Sequence, residues 1–368
     1  MKICFLVNQL SIKDGWGSYA VNLIEHLSKE GVDCLVLSSV KNKENDLSLI
    51  KDNRILPPLF TSRWFKVYFL IKNFLKIRKI IRESDIIHVL AEPYGLIAYL
   101  VCRQRPIIIT FHGTYAIDAL NKWYLKWLYK RVYKNVKKII CVSKFTQQSF
   151  LEKIENEKTV VINNGIDYQK FQFLKPKEQF IRKEKRIISV GGLKARKGYN
   201  ISILAIAQVK KKYPDLKYYI IGNQENENYF NQLKDLVNQY NLKENVIFLE
   251  NVSEKDKIKY YYQSDLFLLT PINIEGSAEG FGLVYLEANA CGKPVIGTYS
   301  CGAEDAVKND YNGILVEQNN IKQTSEAIIN ILSNQNLSEK IGKNGKKWTQ
   351  SRDWSKIVLE YIRIYKSI

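Results

Sequence analysis

Short runs of Ile, Val, Leu and Phe recur along this chain, and between them apolar residues return every three or four positions. The runs Lys2–Val7, Val32–Ser38, Asp85–Leu90, Pro106–Phe111 and Lys138–Val142 predict strands buried on both faces, as in a parallel sheet, with helices in the gaps. The first unit is the clearest: Lys2–Val7 runs into Asp14-Gly15-Trp16-Gly17-Ser18, and Tyr19, Leu23 and Leu27 then recur at helical spacing until Gly31. After a polar, lysine-rich stretch from Tyr168 to Lys185 the pattern restarts. Arg186–Val190, Lys217–Ile221, Asn245–Leu249, Leu266–Leu269 and Lys293–Gly297 predict strands, with helices such as Ile201–Lys212 and Tyr229–Tyr240 between them. The expected fold class is α/β: two facing Rossmann-like, doubly wound domains with an interdomain cleft. Residues 1–170 form the first domain, 171–185 a linker and 186–352 the second. The last helix, 353–368, returns to the first domain with an apolar face of Trp354, Val358, Tyr361, Ile362 and Tyr365.

In open parallel sheets ligands sit at the carboxyl ends of strands, so the loops there are where chemistry is sought. Glu279-Gly280-Phe281-Gly282-Leu283 precedes a helical stretch through Glu287 to Cys291, and Gly292-Lys293-Pro294 starts the next strand. Gly280 and Gly282 let backbone approach a ligand, and a helix N-terminus offers free N–H groups and partial positive charge to a phosphate. Of Glu279 and Glu287, one is then placed for sugar hydroxyls and the other for a nearby ribose. The plain alternative is a glycine turn before a core helix. Arg196-Lys197-Gly198 follows a strand closely, so two cations stand where a leaving diphosphate would need them, or form a solvated basic turn. Of the three histidines, His26 falls in the first helix and His88 ends a strand, both readable as packing groups; His112 follows a strand, precedes Gly113 and projects toward the cleft.

Taken in order, these motifs resemble glycosyltransferase family 4, retaining enzymes of the GT-B fold with a Glu-x7-Glu signature, here Glu279 to Glu287. The resemblance also takes in Gly15-Trp16-Gly17, Asp85-Ile86-Ile87-His88, Thr110-Phe111-His112-Gly113-Thr114, Cys141-Val142-Ser143, Asn163-Asn164-Gly165-Ile166-Asp167 and Val190-Gly191-Gly192-Leu193. It implies that Arg196 and Lys197 act on the donor diphosphate, Glu279 on donor-sugar hydroxyls, Glu287 on the ribose, and His112 beside the transferred sugar. It also marks Gly17, Gly191, Gly192 and Gly280 to Leu283 as donor-binding. Many similar enzymes carry an arginine directly after Val-Gly; here that position is Gly192. The implied co-substrate is a UDP- or GDP-linked sugar, with no other cofactor. No two aspartates stand two apart, so the Asp-x-Asp metal grip of the other large glycosyltransferase fold is missing and no metal is expected.

Charge adds a partner to this picture. Lys plus Arg exceed Asp plus Glu by 56 to 37, a net charge of +19, and residues 1–175 hold 28 basic and 15 acidic residues. Arg63–Arg82 and Asn121–Lys138 each carry seven basic and no acidic residues, interleaved with aromatics. In the second stretch Lys122, Lys126 and Lys130 form one stripe and Trp123, Tyr124, Trp127 and Leu128 its neighbour. Such stripes fit an anionic membrane surface or a solvated helix face; nucleic acid is not expected, because no recognised module accompanies the charge. The acceptor expected beside a membrane is a lipid-linked glycan or envelope precursor. The run Ile86 to Cys102 is broken by Glu92, Pro93 and Gly95, so no membrane span is expected. Six cysteines without metal or disulfide spacing, and a start without a signal-peptide pattern, predict reduced thiols and a cytoplasmic protein at the inner face of the membrane. Two rival readings remain. One is a dinucleotide-dependent oxidoreductase, weakened by Ala20 at the third glycine position after Gly15 and Gly17; the other is a basic binding protein on an inactive transferase scaffold.

Overall fold

The computed structural model describes residues 1–12, 14–40, 52–59, 61–113, 115–176, 183–274 and 276–368. Thr114, and residues 177–182 of the expected linker, lie outside the described residues. The chain forms two compact units, residues 1–165 with 354–368, and residues 166–353.

Among the described residues, the first unit holds a seven-stranded parallel sheet of β1 (Lys2–Leu6), β2 (Asp33–Ser39), β3 (Asp52–Leu56), β4 (Ile86–Val89), β5 (Ile107–Phe111), β6 (Lys138–Cys141) and β7 (Thr159–Val161), in the order β3-β2-β1-β4-β5-β6-β7. Its helices are α1 (Gly15–Lys29), α2 (Arg63–Arg82), α3 (Gly95–Val101), α4 (Tyr115–Asn121), α5 (Trp123–Asn135) and α6 (Lys144–Leu151), joined by the C-terminal helix Trp354–Lys366. Successive side chains of a strand point to opposite faces. Accordingly, Cys4 and Leu6 of β1 enter a core with α2, α3, α5 and α6, whereas Ile3 and Phe5 enter a second core with α1 and the C-terminal helix. In that second core Trp354, Val358, Tyr361 and Tyr365 are buried and Ile362 half-buried. The last helix is fixed by polar contacts too: Tyr19 and Tyr361 share a hydroxyl hydrogen bond at 2.6 Å, and the His88 Nδ1 and Tyr365 hydroxyl another at 2.7 Å.

Among its described residues, the second unit contains a six-stranded parallel sheet of β8 (Arg186–Val190), β9 (Lys217–Ile221), β10 (Val246–Leu249), β11 (Leu266–Leu268), β12 (Val295–Thr298) and β13 (Gly313–Val316), in the order β10-β9-β8-β11-β12-β13. The helices Tyr199–Val209 and Glu227–Gln239 lie within two or three residues of their predicted bounds. Each sheet therefore reverses its strand order once, between β1 and β4 in the first and between β8 and β11 in the second. Those reversals open crevices beyond the strand carboxyl ends, which is where this architecture takes ligands.

Candidate active site

In the second unit β8 delivers Gly191 to the reversal, and a short 3-10 turn, Ala195–Lys197, follows. Gly198 ends that turn with φ 67° and starts the helix Tyr199–Val209; a Cβ there would lie 1.8 Å from the Thr270 carbonyl oxygen. Glycine is thus what lets the Arg196-Lys197 turn pack against the segment after β11. Gly191 has φ 143°, its carbonyl accepts from the Tyr199 hydroxyl at 2.6 Å, and a Cβ on it would stand 3.7 Å from the Lys197 Nζ. At Gly192 the space a side chain would fill is open.

Glu279 closes this cluster. One oxygen, Oε2, receives the Lys197 Nζ at 2.6 Å and the Arg196 Nη1 at 2.7 Å. Burial acts against a charged Glu279, yet the charges of Lys197 and then Arg196 outweigh it and hold the carboxyl down at about 2. Burial also lowers the Lys197 ammonium from its ordinary range, with Glu279 opposing and Arg196 adding to the fall. The result is an ionised carboxylate between two cations, with net positive charge left over.

Beside it, Gly282 takes φ 85° and begins the helix Leu283–Ala290, which has no side-chain cap among the described residues. Phe281 is buried beneath the turn, and the Gly280 carbonyl packs so closely on Gly302 that a Cβ there would sit 2.1 Å from its oxygen. Glu287, two turns along, joins a different cluster: its Oε2 accepts from the Tyr261 hydroxyl at 2.9 Å and from the Lys257 Nζ at 3.2 Å. Lys257 also pairs with Glu254 at 2.9 Å, and the two carboxylates overcome burial to raise its ammonium. Sequence reasoning missed Lys257, Tyr261 and Tyr199, because a lysine or tyrosine inside an amphipathic helix carries no signal of its own.

In the first unit the glycine turn behaves differently. Asp14 caps α1, its Oδ1 accepting from the amides of Trp16 at 3.1 Å and Gly17 at 3.0 Å. A Cβ on Gly17 would meet the Ser11 carbonyl oxygen at 2.2 Å, so this glycine serves a close approach of the chain to itself. The Gly17 amide is therefore engaged by Asp14, and the oxidoreductase reading loses its anion-binding turn. An aspartate just ahead of a helical repeat is the signal that could have found this cap.

His112 follows β5. Its Nε2 lies 2.9 Å from the Leu90 carbonyl oxygen, which only accepts, so Nε2 carries the proton and Nδ1 keeps its lone pair. Tyr19 meets the ring edge-on at 4.5 Å, and burial lowers the imidazole to about 4, only partly countered by the Leu90 carbonyl. His112 is thus neutral at ordinary pH. Its amide donates at 2.6 Å to Glu92 Oε1, a residue the sequence flagged only as an interruption in an apolar run. His88 is fully buried between Tyr365 and Thr110, and His26 bonds the Asn22 carbonyl of its own helix, so both are packing groups.

The basic stretches form α2 and α5, and each leaves a row of aromatic and apolar side chains exposed. In α2, Trp64, Tyr68, Ile71 and Leu75 make an exposed apolar row, Trp64 being 84% and Leu75 79% accessible, while Ile77 and Ile81 bury the other side. Lys72, Lys76 and Lys79 are exposed along the row's flank. In α5, Trp123, Tyr124 and Trp127 are exposed with Lys126, Lys130 and Arg131, whereas Tyr129, Val132 and Tyr133 are buried and Leu128 is half-buried. Both helices pack on the same face of the sheet and begin at its carboxyl edge, the edge that carries His112. Among the described residues no helix is long and apolar enough to cross a membrane.

Comparison with known proteins places these features in one family. Residues 13–170 match the family model described as Glycosyltransferase Family 4, and residues 170–348 the one described as Glycosyl transferases group 1. An uncharacterized glycosyltransferase of Methanocaldococcus jannaschii is 30% identical over 304 residues, 80% of each chain. The capsular polysaccharide biosynthesis glycosyltransferase CapM of Staphylococcus aureus is 28% identical over 356 residues, 92% of this chain and 90% of CapM. The crystal structure of Anabaena HepE in complex with UDP and glucose covers both chains fully with a TM-score of 0.80 at 19% identity, a likeness of fold. The doubly wound pair of units is the GT-B fold expected from the sequence, and the chain belongs to glycosyltransferase family 4.

Proposed function

We propose that this protein transfers a sugar from a UDP- or GDP-linked donor, with retention of anomeric configuration and without a metal ion, to a lipid-linked glycan or envelope precursor. The observation that carries the reading is the Arg196–Glu279–Lys197 cluster beside a helix N-terminus with no side-chain cap among the described residues, at the strand reversal of the second unit. A leaving nucleoside diphosphate develops negative charge, and fixed cations with oriented N–H groups stabilise it as a bound divalent ion would. Arg196, Lys197 and the amides from Gly280 to Leu283 are assigned to the diphosphate, with Gly191 and Gly192 giving it room. Glu279 presents Oε1, which receives no hydrogen bond from the described residues, to donor-sugar hydroxyls. Glu287, steadied by Lys257 and Tyr261, takes the ribose.

Retention follows if the acceptor hydroxyl attacks the face that the diphosphate leaves, through an oxocarbenium-like state. His112, neutral and fixed in one tautomer, accepts a sugar hydroxyl at Nδ1 and positions the sugar; that nitrogen holds no proton to give at neutral pH.

The acceptor class rests on α2 and α5. Exposed Trp and Leu with flanking lysines, and no acidic residue in either stretch, suit the anionic inner face of a membrane, where each basic residue contributes about 1 kcal/mol. The capsule-building CapM relative agrees with an envelope product. A screen of nucleoside diphosphates and nucleotide sugars by thermal shift tests the donor assignment, since a ligand that binds the folded state raises its melting temperature. If UDP, GDP and their sugars all leave the melting temperature unchanged, the donor site is misassigned.

A further inference from the structure

Glu92 belongs to no part of that chemistry, yet its surroundings are those of a working group. It opens the short 3-10 turn Glu92–Tyr94 after β4 and is 1% exposed. Its Oε1 accepts the His112 amide at 2.6 Å, while Oε2 is buried with no hydrogen-bond partner among the described residues. Two residues earlier, the Leu90 carbonyl accepts the His112 ring at 2.9 Å. One three-residue segment therefore holds both the main chain and the imidazole of His112.

We propose that Glu92 is a positioning residue for His112 that works as a neutral carboxylic acid, its carbonyl oxygen fixing the His112 amide and its O–H filling the buried place where a charge has no counter-ion.

The titratable groups near enough to feel its charge are Tyr19 from α1, Tyr133 from α5 and Cys141 from β6, with His112 after β5 held through its amide and Tyr94, of its own turn, bonded away to the Pro57 carbonyl. None is charged at neutral pH: burial raises the three tyrosines and pushes Cys141 up to about 12, and it lowers His112 to about 4. A carboxylate accepts through both oxygens, and here one would have no donor and no cation. Burial accordingly pushes Glu92 up to about 8, the hydrogen bond from the His112 amide offsetting only part of the effect. When the proton leaves, a bare charge stands on the side chain that, among the described residues, anchors the His112 amide, and the loop shifts.

Carbon-13 labelling of glutamate side-chain carboxyls, followed by NMR from pH 5 to 9, reads this directly and needs no substrate. The expected result is a carboxyl that titrates near pH 8 in the wild type and is missing in Glu92→Gln. The nitrogen-15 signals of His112 should move with the same midpoint and lose that movement in Glu92→Gln. A Glu92 carboxyl that titrates in the ordinary range near pH 4.5, or a His112 signal indifferent to it, overturns the proposal.

The second arm rests on His112 as a sugar-contacting residue. Hydrolysis of UDP-glucose and GDP-mannose is measured against pH, using whichever is turned over. Glu92→Ala should slow it about 100-fold, the scale of a misplaced catalytic group. Glu92→Gln, which keeps the acceptor oxygen, should restore most of the loss and abolish the fall in rate above pH 8. An alkaline limb that survives in Glu92→Gln contradicts the positioning role. If neither donor is hydrolysed while the NMR titration behaves as expected, the donor reading fails and the neutral acid stands.

Discussion

Two glutamates at the carboxyl ends of the two sheets make an instructive pair. Glu92 and Glu279 are 1% and 7% exposed, and for each the burial of a charge is the largest single influence. Yet burial carries Glu92 up to about 8, whereas Glu279 is held at about 2. The difference lies in what surrounds them. Glu279 has Lys197 and Arg196 on one oxygen; Glu92 has an amide on one oxygen and, among the described residues, no partner on the other. Burial sets the size of the stakes, and the presence of cations sets the sign. One sheet edge therefore offers a charged cluster suited to a diphosphate, and the other a neutral one suited to holding an imidazole. The glycine turns repeat the contrast: the helix after Gly282 has no side-chain cap among the described residues, whereas the N–H groups at Gly17 are taken by Asp14.

The largest effect should come from breaking the charged member. Lys197→Ala should lower the transfer rate by roughly 100- to 1,000-fold, the range for losing one donor to a developing charge, and Glu279→Ala, which removes the acceptor for sugar hydroxyls and the carboxylate that holds both cations, should also abolish most transfer. Circular dichroism should show both folded. Glu279→Ala should be the less stable, because it leaves Lys197 buried with its carboxylate gone; breaking a buried pair costs about 3–5 kcal/mol. Near-normal transfer in both variants would remove the donor cluster from the reaction.

The two glutamates should also leave opposite marks on stability against pH. An ordinary glutamate near 4.5 is the unfolded reference for both. Glu279, depressed in the folded state, stabilises above pH 4.5, and that contribution is lost as pH falls toward 2. Glu92, raised in the folded state, stabilises fully below pH 4.5 and loses this as pH rises to about 8. Each pH unit inside these windows is worth up to about 1.4 kcal/mol. Melting curves of Glu92→Gln and Glu279→Gln against wild type should therefore diverge in opposite directions. Parallel curves for the two variants would erase the contrast.

Much of this was legible in the sequence because it is carried by strong local patterns. Strands buried on both faces announced themselves as apolar runs, and Gly198, Gly280 and Gly282 marked the turns that bring Arg196, Lys197 and Glu279 together. The strands that escaped notice, β3, β7 and β13, are all at sheet edges. Edge strands are short and need less apolar surface: β3 reads Asp-Asn-Arg-Ile-Leu, and all three residues of β7 are only half-buried. Glu92 escaped for another reason. A single acidic residue in an apolar run argues against a membrane span, and nothing in one dimension says that it folds back under an amide twenty residues later. The exposure of the α2 and α5 aromatics was equally hidden, since a basic stripe beside aromatics describes a core helix as well as an interfacial one.

A smaller effect is expected at that surface. Replacing Lys122, Lys126 and Lys130 by glutamate should reduce co-sedimentation with anionic vesicles, leave neutral vesicles unaffected, and slow transfer to a lipid acceptor more than donor hydrolysis. Added salt should weaken wild-type binding, since exposed charges are screened over about 8 Å at physiological ionic strength. Equal binding of wild type to neutral and anionic vesicles would reduce the stripes to solvated helix faces. The smallest effect should be that of EDTA: an excess should leave the transfer rate unchanged, and strict dependence on magnesium or manganese would contradict a site run by Arg196 and Lys197.

The most direct measurement is calorimetric titration of the wild type and Lys197→Ala with UDP and GDP. The account predicts that one of the two binds the wild type, that Lys197→Ala binds it at least about tenfold more weakly, as expected for losing a charge-assisted contact of about 1.5–3 kcal/mol, and that EDTA changes neither value. Binding of both diphosphates to Lys197→Ala as tightly as to the wild type, or binding by neither protein, would contradict it.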